Sequence, residues 1–282
     1  MRIAVFHNLP SGGAKRALHG FVKYLTKLDY VVDVFVPSTA NENFLPLRDV
    51  ANNVEIFPVK KTIYGILSST IRYRSPLMYS VADIERTEKD IANAINSSDY
   101  DVVFSEQDQY VLSPFFLKFV KKPLVYYCQQ PARSHEAVLQ RISQKSEDRS
   151  LHSLGKRILW HYFVSSRMPE IDKRNASFVR YILTNSYFSR ENILRSYGLN
   201  SFVCYLGVDT QVFKSLHTSK RKNEVLSVGS CTPEKGYDFI VESLSKVEQK
   251  IRPKLTIIAN LVDNRWRNYL EQLALEKGVE LI

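Results

Sequence analysis

The chain has 282 residues, of which 44% are hydrophobic and 12% aromatic, enough to bury the core of one whole domain and part of a second. That composition excludes an intrinsically disordered protein. With 39 basic and 29 acidic residues the formal net charge is +10, which suits phosphate-bearing ligands or an anionic membrane surface.

The chain shows no sign of a disulfide framework or of a membrane span. Cys128, Cys204 and Cys231 are odd in number and far apart, a pattern that indicates neither paired disulfides nor a zinc site. The apolar run Ile3–Phe6 is too short for a signal peptide, and no stretch reaches the roughly 18 apolar residues of a spanning helix. We therefore expect a cytoplasmic protein that meets a membrane, if at all, peripherally on its inner face.

Strands and helices alternate along the first two thirds of the chain. Ile3–Phe6 predicts a buried strand, and the turn at Gly12-Gly13 leads into an amphipathic helix that reaches Leu28. The alternation predicts an α/β fold with a parallel sheet covered on both faces. Further strands are predicted at Val31–Val36, Val54–Val59, Asp101–Ser105, Leu124–Tyr127, Val179–Thr184 and Phe202–Leu206, and helices at Asp83–Asn96, Leu151–Arg174 and Phe188–Tyr197, the last capped by Gly198.

A polar connection separates this region from a second alternating region. Residues 207–223 are rich in Lys, Ser and Thr, which is typical of an interdomain segment. We therefore predict a first domain over residues 1–206 and the first part of a second over residues 224–282. The second domain is predicted to contain strands at Val225–Gly229, Leu255–Ala259 and Val279–Ile282, with helices from Lys235 to about Val247 and near Arg265–Lys277.

The most specific segment is Leu226–Asp238, in which a strand ends at Gly229 and a short loop leads to a helix opened by Glu234-Lys235-Gly236. A lysine at such a position can reach a phosphate that is held over the free amides of a helix N-terminus. The alternative is a solvated lysine on an exposed first turn.

This segment resembles the retaining GT-B glycosyltransferases of the large nucleotide-sugar-dependent group 1 family (family 4 type). Their motif reads Val-Gly-Arg and, several residues later, Glu-Lys-Gly, with the Arg and Lys on the donor diphosphate. Here Ser230 takes the arginine position, which loses a bidentate contact. The resemblance implies two Rossmann-like domains, the second incomplete, and a donor site that includes Gly229, Ser230 and Lys235. Lys235 is also expected to stabilise the departing diphosphate, with neither a metal nor another cofactor.

Three more segments extend the resemblance. Ile182–Ser189 followed by Tyr205–Phe213 is similar to the family's approach to the interdomain crossover, which implies a place for Asp209 on the acceptor side of the cleft. Tyr126–Arg133 is similar to a strand end that reads His-x-Pro-x-Arg in one branch, with Gln129 in the histidine position. This implies a catalytic hydrogen-bonding role for Gln129 and acceptor contacts from Gln130 and Arg133. The alternative for Asp209 is an ordinary Asp-bearing loop, and the alternative for Arg133 is an ion pair with Glu136.

Other candidates lie at the predicted strand ends. Gly12 and Gly13 fit the family's glycine turn beside the donor diphosphate, and they do not form the GxGxxG pattern of dehydrogenases. Glu106 is a candidate for acceptor binding, although Glu106 and Asp108 are as readily interpreted as solvated loop carboxylates. The basic, aromatic stretch from Lys60 to Arg74 indicates either a membrane-facing segment or packing on its own core. No nucleic-acid-binding motif accompanies the positive charge.

The resemblance implies hexosyl transfer from a nucleotide-sugar to a hydroxyl of a sugar, glycan or lipid-linked acceptor, with retention, in polysaccharide, lipopolysaccharide or glycolipid synthesis. The family's glutamate-bearing sugar loop would follow Ile282, so the 282-residue chain is expected to be inactive alone. Two alternatives stay open: a sugar-nucleotide epimerase of the same fold, and a non-catalytic carbohydrate- or partner-binding subunit, which the changes at Ser230 and Gln129 favour.

Overall fold

The computed structural model describes residues 1–61, 81–132, 168–214 and 223–282. They divide into two compact units, one that ends at Phe213 and one that runs from Lys214 to Ile282. None of the described helices is both long enough and apolar enough to cross a bilayer.

The first unit is built on a seven-stranded sheet in which every pairing is parallel. The strand order is β3-β2-β1-β4-β5-β6-β7, so the direction of winding reverses between β1 and β4. The strands are β1 (Arg2–Asn8), β2 (Val31–Pro37), β3 (Asn53–Phe57), β4 (Val102–Asp108), β5 (Leu124–Tyr127), β6 (Tyr181–Thr184) and β7 (Phe202–Val203).

Helices cover both faces of this sheet, as the alternation in the sequence predicts. The described helices of the unit are α1 (Gly13–Lys27), α2 (Val81–Asn96), α3 (Met168–Ala176) and α4 (Tyr187–Tyr197). Along β1, Ile3 and Val5 pack into one core cluster and Ala4 and Phe6 into the other. A strand that is apolar on both faces is typical of a buried parallel sheet.

Each cluster is closed by a different set of helical residues. Leu18 and Val22 of α1 pack against the Val5 side. On the opposite face the Phe6 ring stacks on Phe116, with centroids 4.2 Å apart, and Ile91 of α2 joins them. Burial of these side chains, worth about 1.5–3 kcal/mol each, fixes the sheet and therefore the positions of its carboxyl ends.

The described part of the second unit has two parallel strands, β8 (Glu224–Val228) and β9 (Lys254–Ile258), and two helices, α5 (Tyr237–Ser245) and α6 (Asn264–Glu276). Both helices pack on one face of the strands, where Leu255 is fully buried beside Val241 and Ala274. On the opposite face Leu226 and Val228 are 60% and 71% exposed.

Several predicted boundaries are wrong. The helix expected from Lys235 begins only at Tyr237, because Gly236 adopts a left-handed φ of 65° and ends a short 3-10 turn over Pro233–Lys235. Instead of the predicted strand Val279–Ile282 there is a single bridge between Leu281 and Leu255. Of the predicted helix Leu151–Arg174, the described part belongs to α3, and the remainder lies outside the described residues.

Candidate functional site

The carboxyl ends of β1, β4 and β6 carry a group of buried polar side chains, among them His7, Asn8, Glu106, Asp108 and Thr184. Because the strands are parallel, these ends lie at one edge of the sheet, called the carboxyl edge below. Ligands of open α/β sheets bind outside this edge, at the point where the winding reverses. Here the reversal lies between β1 and β4, which makes the carboxyl edge the candidate site.

A buried ion pair lies at the end of β1. Lys15 of α1 is fully buried, and its ammonium forms an ion pair and hydrogen bond with Glu42. Glu42 also accepts a hydrogen bond from the backbone N–H of Leu47 at 2.9 Å. The pair therefore ties the loop after β2 to the first turn of α1, next to the glycine turn.

His7 completes this cluster as a neutral ring. The Leu9 N–H lies 3.2 Å from His7 Nδ1, so Nδ1 accepts and the ring proton is on Nε2, which donates to Glu42 Oε1 at 3.0 Å. Burial is the main reason that the pKa of His7 is lowered to about 4. Although burial opposes it, the hydrogen bonds from His7, Lys15 and Leu47 hold the pKa of Glu42 at about 2.

The glycine turn itself opens α1. Gly12 is the residue before the helix, with a positive φ of 148°, and no side chain caps the helix there. A side chain at Gly12 would therefore be strained, whereas Gly13 has open space around its Cα. The first turn of α1 contains no acidic residue of its own; the nearby carboxylate is that of Glu42, which is paired with Lys15.

The carboxylates of β4 are buried. Glu106 is 0% and Asp108 1% exposed, because β4 continues to Asp108 instead of ending at Ser105. Their interpretation as solvated loop carboxylates is therefore wrong. Asp108 accepts hydrogen bonds from the side chain of Asn8 and from the backbone N–H of Val111 (2.9 Å).

Asp108 also faces Glu88 of α2, which is completely buried. Burial and the negative charge of Asp108 raise the pKa of Glu88 well above its ordinary value. Glu88 Oε2 accepts the Phe116 N–H at 2.9 Å, whereas Oε1 is buried without a hydrogen-bond partner among the described residues. These two neighbouring carboxyl groups therefore lie where the end of β4 packs against α2.

Glu106 and Gln129 are in direct contact at the carboxyl edge. Gln129 Nε2 donates to Glu106 Oε1 at 3.0 Å, and Gln129 Oε1 accepts from Asn185 Nδ2 at 3.1 Å. Desolvation raises the pKa of Glu106 from 4.5 to about 8, despite hydrogen bonds from Gln107 and Gln129. The structure thus brings the ends of β4, β5 and β6 into one hydrogen-bonded chain.

The other expected acceptor residues have different surroundings. The backbone carbonyl of Gln130 accepts from Gln107 Nε2 at 2.7 Å, and the residue is exposed. Asp209 forms an ion pair with Lys23 of α1 at 2.8 Å and accepts from the Gln211 N–H at 3.0 Å. Arg133 lies outside the described residues, as does the basic stretch beyond Lys61.

A second buried carboxylate fixes the loop that follows β5. Asp172 of α3 accepts from the backbone N–H of Ala132 at 2.8 Å and from the Tyr197 hydroxyl at 2.6 Å. Its other oxygen accepts the Ser113 N–H at 2.9 Å. Burial raises its pKa. Asp172 therefore holds the backbone immediately before Arg133.

The predicted donor residues of the second unit lie together in one turn. Gly229 follows β8, and a Cβ there would lie 3.0 Å from the Tyr237 hydroxyl and 3.8 Å from two side-chain carbons of Lys235. The Lys235 side chain thus passes beside Gly229, and its exposed ammonium pairs with no described residue. The backbone carbonyl of Ser230 accepts from the Thr232 N–H at 3.0 Å.

Sequence reasoning missed the supporting polar residues, namely His7, Lys15, Glu42, Glu88, Asp172 and Asn185. The only local signal was a lysine at the third position of an amphipathic helix, next to an apolar strand that ends in His-Asn. Within the described ranges, no three His, Cys, Asp or Glu side chains are grouped so that they could hold a metal ion.

No protein-family model and no curated protein matches this sequence. Solved structures do share its architecture. Anabaena HepE in complex with UDP and glucose aligns with a TM-score of 0.63 at 15% identity, over 100% of this chain and 69% of HepE. TarM of S. aureus, in complex with fondaparinux, alpha-GlcNAc-glycerol and UDP, aligns with a TM-score of 0.55 at 11% identity, over 99% of this chain and 76% of TarM.

A third structure, E. coli trehalose-6-phosphate bound with UDP-2-fluoro glucose, aligns with a TM-score of 0.52 at 11% identity, over 99% of this chain and 69% of its own. At these identities the likeness concerns the fold. The expected α/β fold of the GT-B type, with Rossmann-like units on parallel sheets, is confirmed.

Proposed function

We propose that this chain belongs to an enzyme that transfers a hexosyl unit from a nucleotide-sugar to a hydroxyl group of a sugar, glycan or lipid-linked acceptor, with retention at the anomeric carbon. The observation that carries the proposal is the turn at Gly229, where the side chain of Lys235, which pairs with no described residue, lies beside a glycine in a GT-B fold. Similar structures contain UDP together with glucose or a UDP-sugar analogue.

In this proposal Lys235 contacts the donor diphosphate. An ammonium that is exposed and pairs with none of the described residues loses little when it binds a phosphate, and it stabilises the negative charge that develops on the leaving group. Gly229 allows the close approach of the backbone, and Ser230 offers one hydrogen bond. Gly12 and Gly13 line the donor side of the first unit, with a helix N-terminus that favours anions.

The acceptor is assigned to the carboxyl edge of the first unit. Gln129 and Gln130 provide neutral hydrogen-bonding groups for the acceptor, and the buried Glu106, with its pKa raised to about 8, contributes through its hydrogen bond from Gln129. Such groups suit the hydroxyls of a sugar. Arg133 and Asp209 stay proposed as further acceptor contacts.

Binding of UDP to the 282-residue chain tests the donor site. We expect Lys235→Ala to weaken UDP binding about 10- to 100-fold, since a charge-assisted hydrogen bond is worth about 1.5–3 kcal/mol. Isothermal titration calorimetry measures this. Lys246→Ala removes an exposed lysine at the other end of α5 and should leave UDP affinity unchanged. Equal affinity in Lys235→Ala and wild type would contradict the proposal.

Sugar transfer is tested separately from binding. The release of UDP from UDP-glucose, with glucose or a glucan as acceptor, reports turnover, and proton NMR of the product reports the anomeric configuration. The absence of saturable UDP binding would favour the non-catalytic binding subunit, and conversion of UDP-glucose to another sugar nucleotide would favour the epimerase.

A further inference from the structure

The orientation of the Asn185 side chain is determined by its surroundings. Asn185 Nδ2 lies 3.1 Å from the backbone carbonyl oxygen of Gln129, which can only accept a hydrogen bond. Its Oδ1 receives the hydroxyls of Ser186 and Ser189 at 3.0 and 2.8 Å. The nitrogen must therefore face Gln129.

This orientation in turn determines that of Gln129. The same Asn185 Nδ2 lies 3.1 Å from Gln129 Oε1, so the oxygen of the Gln129 amide faces Asn185 and the nitrogen faces Glu106 at 3.0 Å. A flipped Gln129 would place two N–H groups against each other.

Glu106 alone cannot impose this orientation. Its carboxyl group is fully buried and pairs with no described cation, and its raised pKa keeps it protonated at neutral pH. A protonated carboxyl group offers both a donor and an acceptor, so it would accommodate either orientation of the Gln129 amide. Asn185, which offers only a donor on this side, decides between them.

The result is one defined hydrogen-bond donor at the carboxyl edge. Gln129 Nε2 has two N–H groups, of which one is donated to Glu106, and no described residue accepts the second. Gln129 is only half-buried. Its second N–H is therefore available to a ligand atom that accepts a hydrogen bond, such as a sugar oxygen.

We propose that Asn185 is a positioning residue that holds the Gln129 amide in one orientation, so that Gln129 donates a hydrogen bond to an oxygen atom of the acceptor sugar. This inference rests on the proposed function for its ligand, but the orientation itself does not depend on it. The two can therefore fail separately.

The first experiment examines the orientation by NMR of the 15N-labelled chain. The side-chain N–H resonances of Gln129 are identified by their loss in Gln129→Glu. Asn185→Asp places an oxygen against both oxygens of Gln129, so we expect both Gln129 resonances to shift or broaden. The matched control is Asn96→Asp, since Asn96 likewise donates to a carbonyl (Phe119, 2.9 Å) and accepts from a backbone N–H. Unchanged Gln129 resonances in Asn185→Asp would overturn the proposal.

The second experiment measures binding of glucose, used as the acceptor probe, from the shifts of backbone amides at the carboxyl edge. We expect Asn185→Asp and Gln129→Met each to weaken binding about 3- to 10-fold, the worth of one hydrogen bond. The double variant should be no weaker than Gln129→Met, since Asn185 acts through Gln129. Additive losses, undiminished binding in the single variants, or no binding of glucose to wild type would each overturn the acceptor role. UDP affinity should stay unchanged in all of these variants, so a failure of UDP binding bears on the proposed function alone.

Discussion

At the scale of single residues, the burial of Lys15 is tolerated because Glu42 lies within hydrogen-bonding distance. A charged pair without water is stable only while both partners remain, since a lone buried charge has no compensation. His7 adds a neutral donor to the same carboxylate. The cluster thus holds the loop after β2 against the first turn of α1.

We expect Lys15→Met to lower the free energy of unfolding by about 3–5 kcal/mol, because Glu42 is left buried without its cation. Removing both charges in Lys15→Met/Glu42→Gln should cost less than Lys15→Met alone. Urea denaturation at pH 7 measures both variants. If the double variant lost as much free energy of unfolding as Lys15→Met and Glu42→Gln lose together, the two side chains would not interact.

Local pattern could not reveal this cluster. Lys15 stands in a helix whose apolar positions predict its buried face, and a lysine there is ordinarily expected at the surface. Its partner is 27 positions away in a loop of irregular structure. For the same reason Glu106 could be placed at a strand end from the sequence, whereas its burial depended on how far β4 extends, which only the packing of α2 and the neighbouring strands determines.

At the scale of elements, α4 is the helix whose ends were best predicted. Ser186 caps it by accepting the Ser189 N–H at 3.1 Å, and Gly198 ends it with a left-handed φ of 74°. The sequence expectation for Gly198 is confirmed. Because Asn185 directly precedes the cap, the start of α4 also sets the position of the Asn185 amide beside Gln129.

We expect Gly198→Ala to destabilise the chain by about 1–2 kcal/mol, the cost of a left-handed backbone for a residue with a Cβ. Gly20 is the matched control. It lies within α1, where an added Cβ meets open space and φ is not positive, so Gly20→Ala should stabilise by about 0.4–1 kcal/mol. Thermal and urea unfolding measure both. Equal effects of the two substitutions would contradict the assignment.

Elements with strong periodicity were predictable, and those that depend on one backbone angle or one distant strand were not. β5 was predicted with its observed bounds, Leu124–Tyr127. The start of α5 was missed because Gly236 turns the chain after Lys235. This difference matters for the candidate donor site, since it places Lys235 in a separate turn beside Gly229 and not in the helix.

At the scale of the whole molecule, the buried ionisable groups determine how stability depends on pH. His7, with a pKa lowered to about 4, stays neutral in the folded chain while the unfolded chain gains a proton below about pH 6.5. Glu42, with a pKa of about 2, stays ionised while the unfolded chain is protonated below about pH 4.5. In both cases the unfolded chain binds more protons, so stability falls as the pH falls.

The buried carboxyl groups with raised pKa act in the opposite direction. Each keeps its proton in the folded chain after the unfolded chain has released it, so stability falls as the pH rises above the ordinary pKa. For Glu106 this loss of stability occurs between pH 4.5 and about pH 8. At 1.36 kcal/mol for each pH unit it amounts to at most about 5 kcal/mol of the free energy of unfolding. The groups of this kind among the described residues are Glu88, Glu106, Asp108 and Asp172.

Above about pH 5, His7 makes stability rise with pH, whereas the four buried carboxyl groups make it fall. Because there are more of these carboxyl groups, we expect the free energy of unfolding to be highest on the acidic side of neutrality and to decrease from about pH 5 to pH 9. Urea denaturation at pH 5, 7 and 9 measures the decrease. Glu106→Gln removes one titrating group, so it should unfold as wild type does near pH 4.5 and become relatively more stable by pH 8. A profile for Glu106→Gln that stays parallel to wild type over this range would show that Glu106 ionises normally in the folded chain. Glu106 would then not be the neutral carboxyl group beside Gln129 that the proposed acceptor site contains.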